Sequence, residues 1–223
     1  GSNPRRCSPY GRFDSRMPSK EFPVTEQTRQ PEYPVNPIFI DRWSPRAFTG
    51  ETISEQDLLT IIEAGRWAPS AFNAQPWRFI YARAGTPAWD ALFATLNAFN
   101  QSWAQRASAL IVIVSANRSQ PPGAAEPKPN GTHEFDTGAA WGYLALQTTL
   151  LGWHAHGMTG FDKELARTSL GVPEGYTVQA AVAIGRRSED KSFLAEALQS
   201  REAPSPRLPV KAIAAEGRFG FEG

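Results

Sequence analysis

Residues 66–78 read Arg66-Trp67-Ala68-Pro69-Ser70-Ala71-Phe72-Asn73-Ala74-Gln75-Pro76-Trp77-Arg78. The two prolines forbid a regular helix here and restrict the residues that precede them. Ser70, Asn73 and Gln75 offer a hydroxyl and two amides, each able to donate and to accept. Trp67, Phe72 and Trp77 add flat apolar surface around them. A polar loop with aromatic walls suits a flat heterocyclic ligand. The same composition also suits a capped helix end followed by a turn.

The flanks predict what this loop connects. Upstream, Ser54 with Asp57 three residues on resembles a capping pattern, one carbon short of the preferred Glu. Leu58, Leu59, Ile61, Ile62 and Gly65 then keep one helical face apolar up to Arg66. Downstream, Trp77 to Ala82 reads as a buried strand. Pro87 to Asn97 reads as a helix, and Asn100 to Arg106 as a second short one. Leu110 to Ser115, a continuous run rich in β-branched residues, predicts a central strand buried on both sides. Residues 117–132 form a Pro/Gly-rich loop whose length suggests a mobile rim over a pocket. Glu134 to Leu151 is a strong helix with Gly138, Ala139, Ala140 and Gly142 along one side, suited to close packing at the centre of the fold. Strands are expected at Trp153 to Met158 and Thr177 to Gly185, with a helix at Asp162 to Leu170 between them. The remainder from Arg186 reads as mostly extended.

Nearer the start, Pro37 to Arg42 predicts a short helix with Asn36 as N-cap and Pro37 in its first turn. It leads into Arg42-Trp43-Ser44-Pro45-Arg46-Ala47-Phe48. Two arginines around a serine make a compact anion site, because the guanidinium fork matches phosphate oxygens. Two exposed arginines at a helix end would look the same.

Composition narrows the classes. The 223 residues are 41% hydrophobic and 20% charged, as expected of one globular domain with a sizeable core. A net charge of +1 points to neither nucleic acid nor an anionic membrane. The longest apolar run, Ala107 to Val114, is too short to span a bilayer, and no signal-peptide pattern opens the chain. A single cysteine, Cys7, fits a reducing compartment, and a cytoplasmic location is expected. Residues 1–35, which carry six prolines and no sustained periodicity, read as an irregular N-terminal arm. Residues 36–223 read as one domain with an extended C-terminal segment.

Taken together, RWSPRAF (42–48) followed by PSAFNAQPWRF (69–79) resembles the FMN-dependent nitroreductase family. Later landmarks agree in order and spacing: FNQSWAQRASALIVIV, DTGAAWGYLALQTTLLG, GMTGFD, GYTVQAAVAIG and SPRLP. The match runs roughly from Asn36 to Val210. It implies an α+β fold with a central, mostly antiparallel sheet flanked by helices, in an intertwined homodimer with two shared FMN sites. By the same resemblance, Arg42, Ser44 and Arg46 hold the FMN phosphate, ribityl chain and pyrimidine edge. Pro69, Ser70 and Asn73 approach the flavin from the other subunit. Asn100 hydrogen-bonds the isoalloxazine, Thr159 and Gly160 face N5 and O4, and Arg207 binds phosphate. Two departures stand out: Trp103 and Ser205 occupy places where some family members carry lysine. The implied activity is NADH- or NADPH-dependent reduction of nitroaromatics, quinones or related acceptors by a ping-pong route. A specialised reaction on the same fold, such as reductive dehalogenation or flavin fragmentation, is an alternative, as is a flavin-binding sensor with little turnover. No GxGxxG follows a predicted strand, so no separate dinucleotide-binding unit is expected.

Among the remaining polar clusters, His154 and His156 alternate onto one face of a predicted strand, as metal ligands do. A third ligand is lacking, and a structural pair on a buried strand is expected instead. Asp136, beside His133, reads as a first-turn or capping carboxylate. No side chain is assigned acid–base chemistry, because a flavin carries the redox step itself.

Overall fold

A computed structural model describes residues 29–221. Most of the arm expected at 1–35, with Cys7, lies outside those residues. Helix α1, Ile38–Asp41, starts where Asn36 Oδ1 accepts from the Ile38 N–H at 3.1 Å. Helix α2, Glu55–Arg66, is capped by Ser54, whose Oγ accepts from the Asp57 N–H at 3.0 Å. Such a cap contributes about 1 kcal/mol. Leu58, Ile61 and Gly65 are its buried residues and Ile62 is half-buried, but Leu59, placed on the same face by the sequence reading, is exposed.

Strand β1, Trp77–Arg83, follows the loop. The helix expected at 87–97 is much shorter. Helix α3 is Trp89–Phe93, and Asn97 instead caps α4, Ala98–Ala104, accepting from the Asn100 N–H at 2.9 Å. An asparagine side chain competes for backbone N–H groups and so favours caps over helix interiors. Strand β2 is Ala109–Ala116. The expected loop at 117–132 contains a two-stranded hairpin, β3 Arg118–Ser119 with β4 Lys128–Pro129. Arg118 Nη2 donates to the Pro127 carbonyl across its neck. Helix α5, His133–Leu150, strand β5, His154–Met158, helix α6, Lys163–Ser169, and strand β6, Tyr176–Gly185, complete the body. The chain beyond Arg186 is not wholly extended: it carries the short helix α7, Glu196–Gln199, and a 3₁₀ turn at Val210–Ala212.

The main sheet has the order β1-β2-β6-β5, and every pairing is antiparallel. Alternate residues of β2 enter two separate cores. Leu110, Val112 and Val114 pack with Phe48, Trp103, Leu92 and Ala166, under α3, α4 and α6. Ala109, Ile111 and Ile113 pack with Leu58, Ile61 and Leu144, under α2 and α5. The result is an α+β sheet covered by helices on both faces, as the unbroken apolar run of β2 requires. Helix α5 is central: a Cβ added at Gly65 of α2 would meet the Ala140 carbonyl of α5 at 3.2 Å. A β-bulge interrupts β6 opposite Ile113 and Val114, leaving Gln179 without a direct partner in the register.

The loop at 69–76 is fastened to α5 by one carboxylate. Asp136 is buried, and its Oδ2 accepts from the Ala71 N–H at 3.2 Å and from Thr132 Oγ at 2.9 Å. Ser70 Oγ accepts from the Gln75 N–H at 3.0 Å, closing the loop on itself. Replacing Asp136 by alanine removes a buried acceptor from two donors. We expect a loss of about 1–3 kcal/mol of stability, read from urea unfolding midpoints at unchanged m-value, with Asp136→Asn losing less than Asp136→Ala.

Candidate functional site

Residues 42–48 leave α1 in extended conformation, starting at Arg42 (φ −66°, ψ 115°). Their course is set from the C-terminal side. Glu202 Oε1 accepts from the backbone N–H groups of Arg46 and Ala47 at 2.7 and 2.8 Å. Phe48 is fully buried and bridges to Arg187, anchoring the far end. Trp43, Pro45 and Ala47 are buried on one side of the extended segment, which leaves Arg42, Ser44 and Arg46 on the other.

Arg42, Arg46 and Arg207 converge there on a cavity of about 400 Å³, together with Arg29, Arg201 and His156. Burial, and then the neighbouring Arg207, lower the proton affinity of Arg42. Burial lowers that of Arg46 most; Glu202 partly offsets this and Arg201 adds to it. Arg46 Nε is buried with no hydrogen-bond partner. Ser44 Oγ accepts from Arg42 Nη1 at 3.4 Å, a long contact. This is a cation-rich pocket with an orphaned donor, the chemistry of a phosphate site.

A second cavity of about 720 Å³ adjoins it, and Arg42 and Ser44 line both. Ile113, Ala180 and Val182 form its floor on the sheet, and Thr137, Gly138, Trp141 and Gly142 its wall on α5. Met158 and Thr159 close one edge. Gln179, at the bulge, also lines it, donating from Nε2 to Ser115 Oγ at 2.8 Å and to Glu134 Oε1 at 3.3 Å. A cationic end opening into a larger apolar chamber can hold a molecule with an anionic tail and a flat head.

The predicted site residues thus divide. Arg42, Ser44, Arg46, Arg207 and Thr159 line the two cavities. Gly160 and Asn100 lie behind them. Asn100 is buried, donates from Nδ2 to the Gly160 carbonyl at 2.8 Å and accepts from Trp103 Nε1 at 3.2 Å. A Cβ on Gly160 would meet Asn97 Nδ2 at 2.7 Å, so only glycine fits this turn. Pro69, Ser70 and Asn73 line neither cavity of their own chain, and nor does the hairpin at 117–132, expected as a rim. The loop's backbone is nonetheless specialised: Phe72, Asn73 and Gln75 all have positive φ, at 52°, 53° and 46°. Asn tolerates that region, whereas for Phe it costs about 1–3 kcal/mol.

Sequence reasoning missed Arg29, Arg201, Glu202 and Gln179. The first three sit in segments without periodicity, which carry no local signal of a site. Gln179 depends on a bulge that no local pattern announces.

His154 and His156 face two tryptophans. His154 meets Trp43 edge-on at 6.5 Å between ring centres, and His156 packs on Trp103 at 4.7 Å. His156 Nδ1 lies 2.9 Å from the Pro45 carbonyl, an acceptor only, so that nitrogen carries the proton. Burial lowers both imidazoles to about 4, with nearby arginines adding to the effect. No cluster of three or more His, Cys, Asp or Glu that could hold a metal ion occurs among the described residues.

Comparison with known proteins bears on the family and the fold. The chain matches the Nitroreductase family over residues 40–86 and 83–186. A solved oxidoreductase containing FMN is 47% identical, with a TM-score of 0.84 over 89% of this chain and 100% of its own. A putative nitroreductase from Desulfovibrio desulfuricans, solved in complex with FMN, is 26% identical, with a TM-score of 0.62 over 84% of this chain and 100% of its own. A putative NADH dehydrogenase/NAD(P)H nitroreductase of Archaeoglobus fulgidus is 30% identical over 68% of this chain and 84% of its own length.

The histidine pair makes stability depend on pH. Both are held neutral in the fold, at about 4 against an ordinary 6.5. Between those values the unfolded chain binds protons that the folded chain does not. Their contribution is therefore complete above pH 6.5 and is lost as the pH falls toward 4. Two such groups give a slope of up to about 2.7 kcal/mol per pH unit. Urea midpoints measured from pH 7.5 to 4.5 should fall more steeply for the wild type than for the variant His154→Gln/His156→Gln. Parallel profiles would remove the histidines as the cause.

Proposed function

The chain belongs to the nitroreductase family, and on that premise we propose that it is an FMN-dependent oxidoreductase using NADH or NADPH to reduce nitroaromatics, quinones or related acceptors. The carrying observation is the arginine-lined cavity, with its unpartnered Arg46 Nε, opening through Arg42 and Ser44 into the larger chamber against the sheet. Arg42, Arg46 and Arg207 would hold the phosphate, Ser44 the adjoining chain, and the Thr159–Gly160 turn the edge of the ring system. Bound there, FMN supplies hydride transfer in both half-reactions, which gives a ping-pong course. The protein's part is electrostatic and positional. Its guanidinium groups neutralise the phosphate, Asn100 fixes the turn from behind, and α5 with the sheet keeps one side of the chamber apolar. The reductant is a cytoplasmic nucleotide, and the reaction is assigned to that compartment. No helix among the described residues is long and apolar enough to cross a membrane.

The active unit in this reading is a homodimer. Pro69, Ser70 and Asn73 are held in a strained loop that reaches neither cavity of its own chain. Phe72, beside them, is 77% exposed, and Phe135 and Leu150 of α5 are 82% and 67% exposed. Gly138 and Gly142, which wall the larger cavity on α5, have nothing within 4 Å of an added Cβ, so that wall is open within one chain. A two-fold pairing would cover these groups and bring the loop of one chain to the cavities of the other, in two equivalent sites.

Three measurements test the reading. The purified protein should take up stoichiometric FMN, and NAD(P)H oxidation should rise on adding a nitroaromatic or quinone. Uptake without turnover would leave only a flavin-binding protein. Arg42→Ala should weaken FMN binding by about 1.5–3 kcal/mol, the value of a hydrogen bond to a charged group, seen by quenching of flavin fluorescence. A mixed dimer of Arg42→Ala with a Ser70→Phe/Asn73→Phe chain should put both defects in one site and recover about half the FMN and activity. A folded mixed dimer that recovers neither would place both motifs within one chain's own site.

A further inference from the structure

Arg29 lies outside every motif and inside the arginine cavity. Its Nε donates to the Ser205 carbonyl at 2.7 Å, and its Nη1 donates to the carbonyls of Ile40 and Arg42, each at 2.9 Å. Three carbonyls thus hold the guanidinium through Nε and Nη1. The other terminal nitrogen, Nη2, makes no hydrogen bond among the described residues. Three residues on, Glu32 Oε2 accepts from the Val210 N–H at 3.1 Å. The segment 29–32 therefore lies against 205–210, and Arg42 and Arg207 share its cavity.

This placement is electrostatically awkward. Arg29 is pushed toward a lower proton affinity by burial, then by Arg207 and Arg42. The carboxylate that acts on the neighbouring Arg46, Glu202, is engaged with the backbone of Arg46 and Ala47. Carbonyl oxygens can orient a cation, yet they do not neutralise the repulsion among three guanidinium groups. A dianion in the cavity would do so, and Nη2 is a donor still available to it.

We propose that Arg29 is a phosphate-binding residue of the FMN site, and that phosphate binding clasps the N-terminal arm onto the C-terminal segment. The proposal rests on the FMN reading above. Its consequence is a cofactor that ties three stretches distant in sequence: the arm at Arg29, the segment at Arg42 to Arg46, and the end of the chain at Arg207. Loss of the phosphate should loosen the clasp while leaving the sheet and α5 as they are.

The test compares FMN with riboflavin, which has the same ring and ribityl chain and no phosphate. On the full chain stripped of flavin, Arg29→Ala should weaken FMN binding about tenfold or more, the loss of one charge-assisted contact. Riboflavin binding should be unchanged. Equal weakening of both flavins would make Arg29 a structural residue only, and unchanged FMN binding would remove it from the site; either overturns the proposal. A second measurement follows the clasp in the unaltered protein. Trypsin cleavage after Arg29, identified by mass spectrometry, should slow several-fold with FMN and not with riboflavin. Equal cleavage with both flavins would overturn the clasp. Failure of the FMN reading itself looks different: the wild type would then bind FMN no better than riboflavin, and the proposal would fall with it.

Discussion

Strand β2 has no face on water, and the rest of the architecture follows from that constraint. A strand apolar on both sides needs a layer on each. Helices α2 and α5 supply one, and α3, α4 and α6 the other. With both faces covered, the polar chemistry is pushed to the sheet's margins. There the segment from Arg42 to Arg46, the end of β5 and the C-terminal chain come together. The bulge in β6 turns Gln179 out of the regular register at the chamber's floor. The arginine cavity therefore lies where regular structure ends, and the larger chamber opens from it along the sheet and α5.

The arginine pocket is a balance of opposed terms. Burial and mutual repulsion disfavour the cations, and both weigh on Arg29, Arg42 and Arg46. The nearby carboxylate, Glu202, works mainly through the backbone, satisfying two N–H groups and fixing the course of residues 46 and 47. Its Oε2 is buried without a partner, and so is Arg46 Nε. Buried polar groups are seldom left in that condition. An anion of the kind proposed above would satisfy Arg46 Nε and offset the repulsion among the cations; Glu202 Oε2, an acceptor, gains no donor from it.

The loop at 69–76 shows the same economy on the opposite side of α5. Three residues with positive φ, none of them glycine, sit within four positions. The strain persists because Asp136, Ser70 and the flanking prolines over-determine the path. Ser70 Oγ and the Gln75 amide are engaged within the loop, while the Phe72 ring is left exposed.

Local patterns in the sequence determined a good part of this. Ser54, Asn97 and Asp162 act as caps because short polar side chains reach the first free N–H groups of a helix, and all three helices they open match the expected spans to within about two residues at each end. The double-sided burial of β2 was legible from its unbroken apolar run, and the antiparallel α+β fold and the family were legible from the ordered motifs. The pairing of β2 with β6, the bulge at Gln179 and the meeting of Arg29, Arg201 and Glu202 with Arg42 were not. Glu202 lies 156 residues from Arg46, and Arg29 lies 176 from Ser205. Capping and amphipathic periodicity act within a turn or two of chain and leave a local trace. Electrostatic convergence acts through space, carries no spacing rule, and is decided only when the tertiary fold brings distant charges to one cavity.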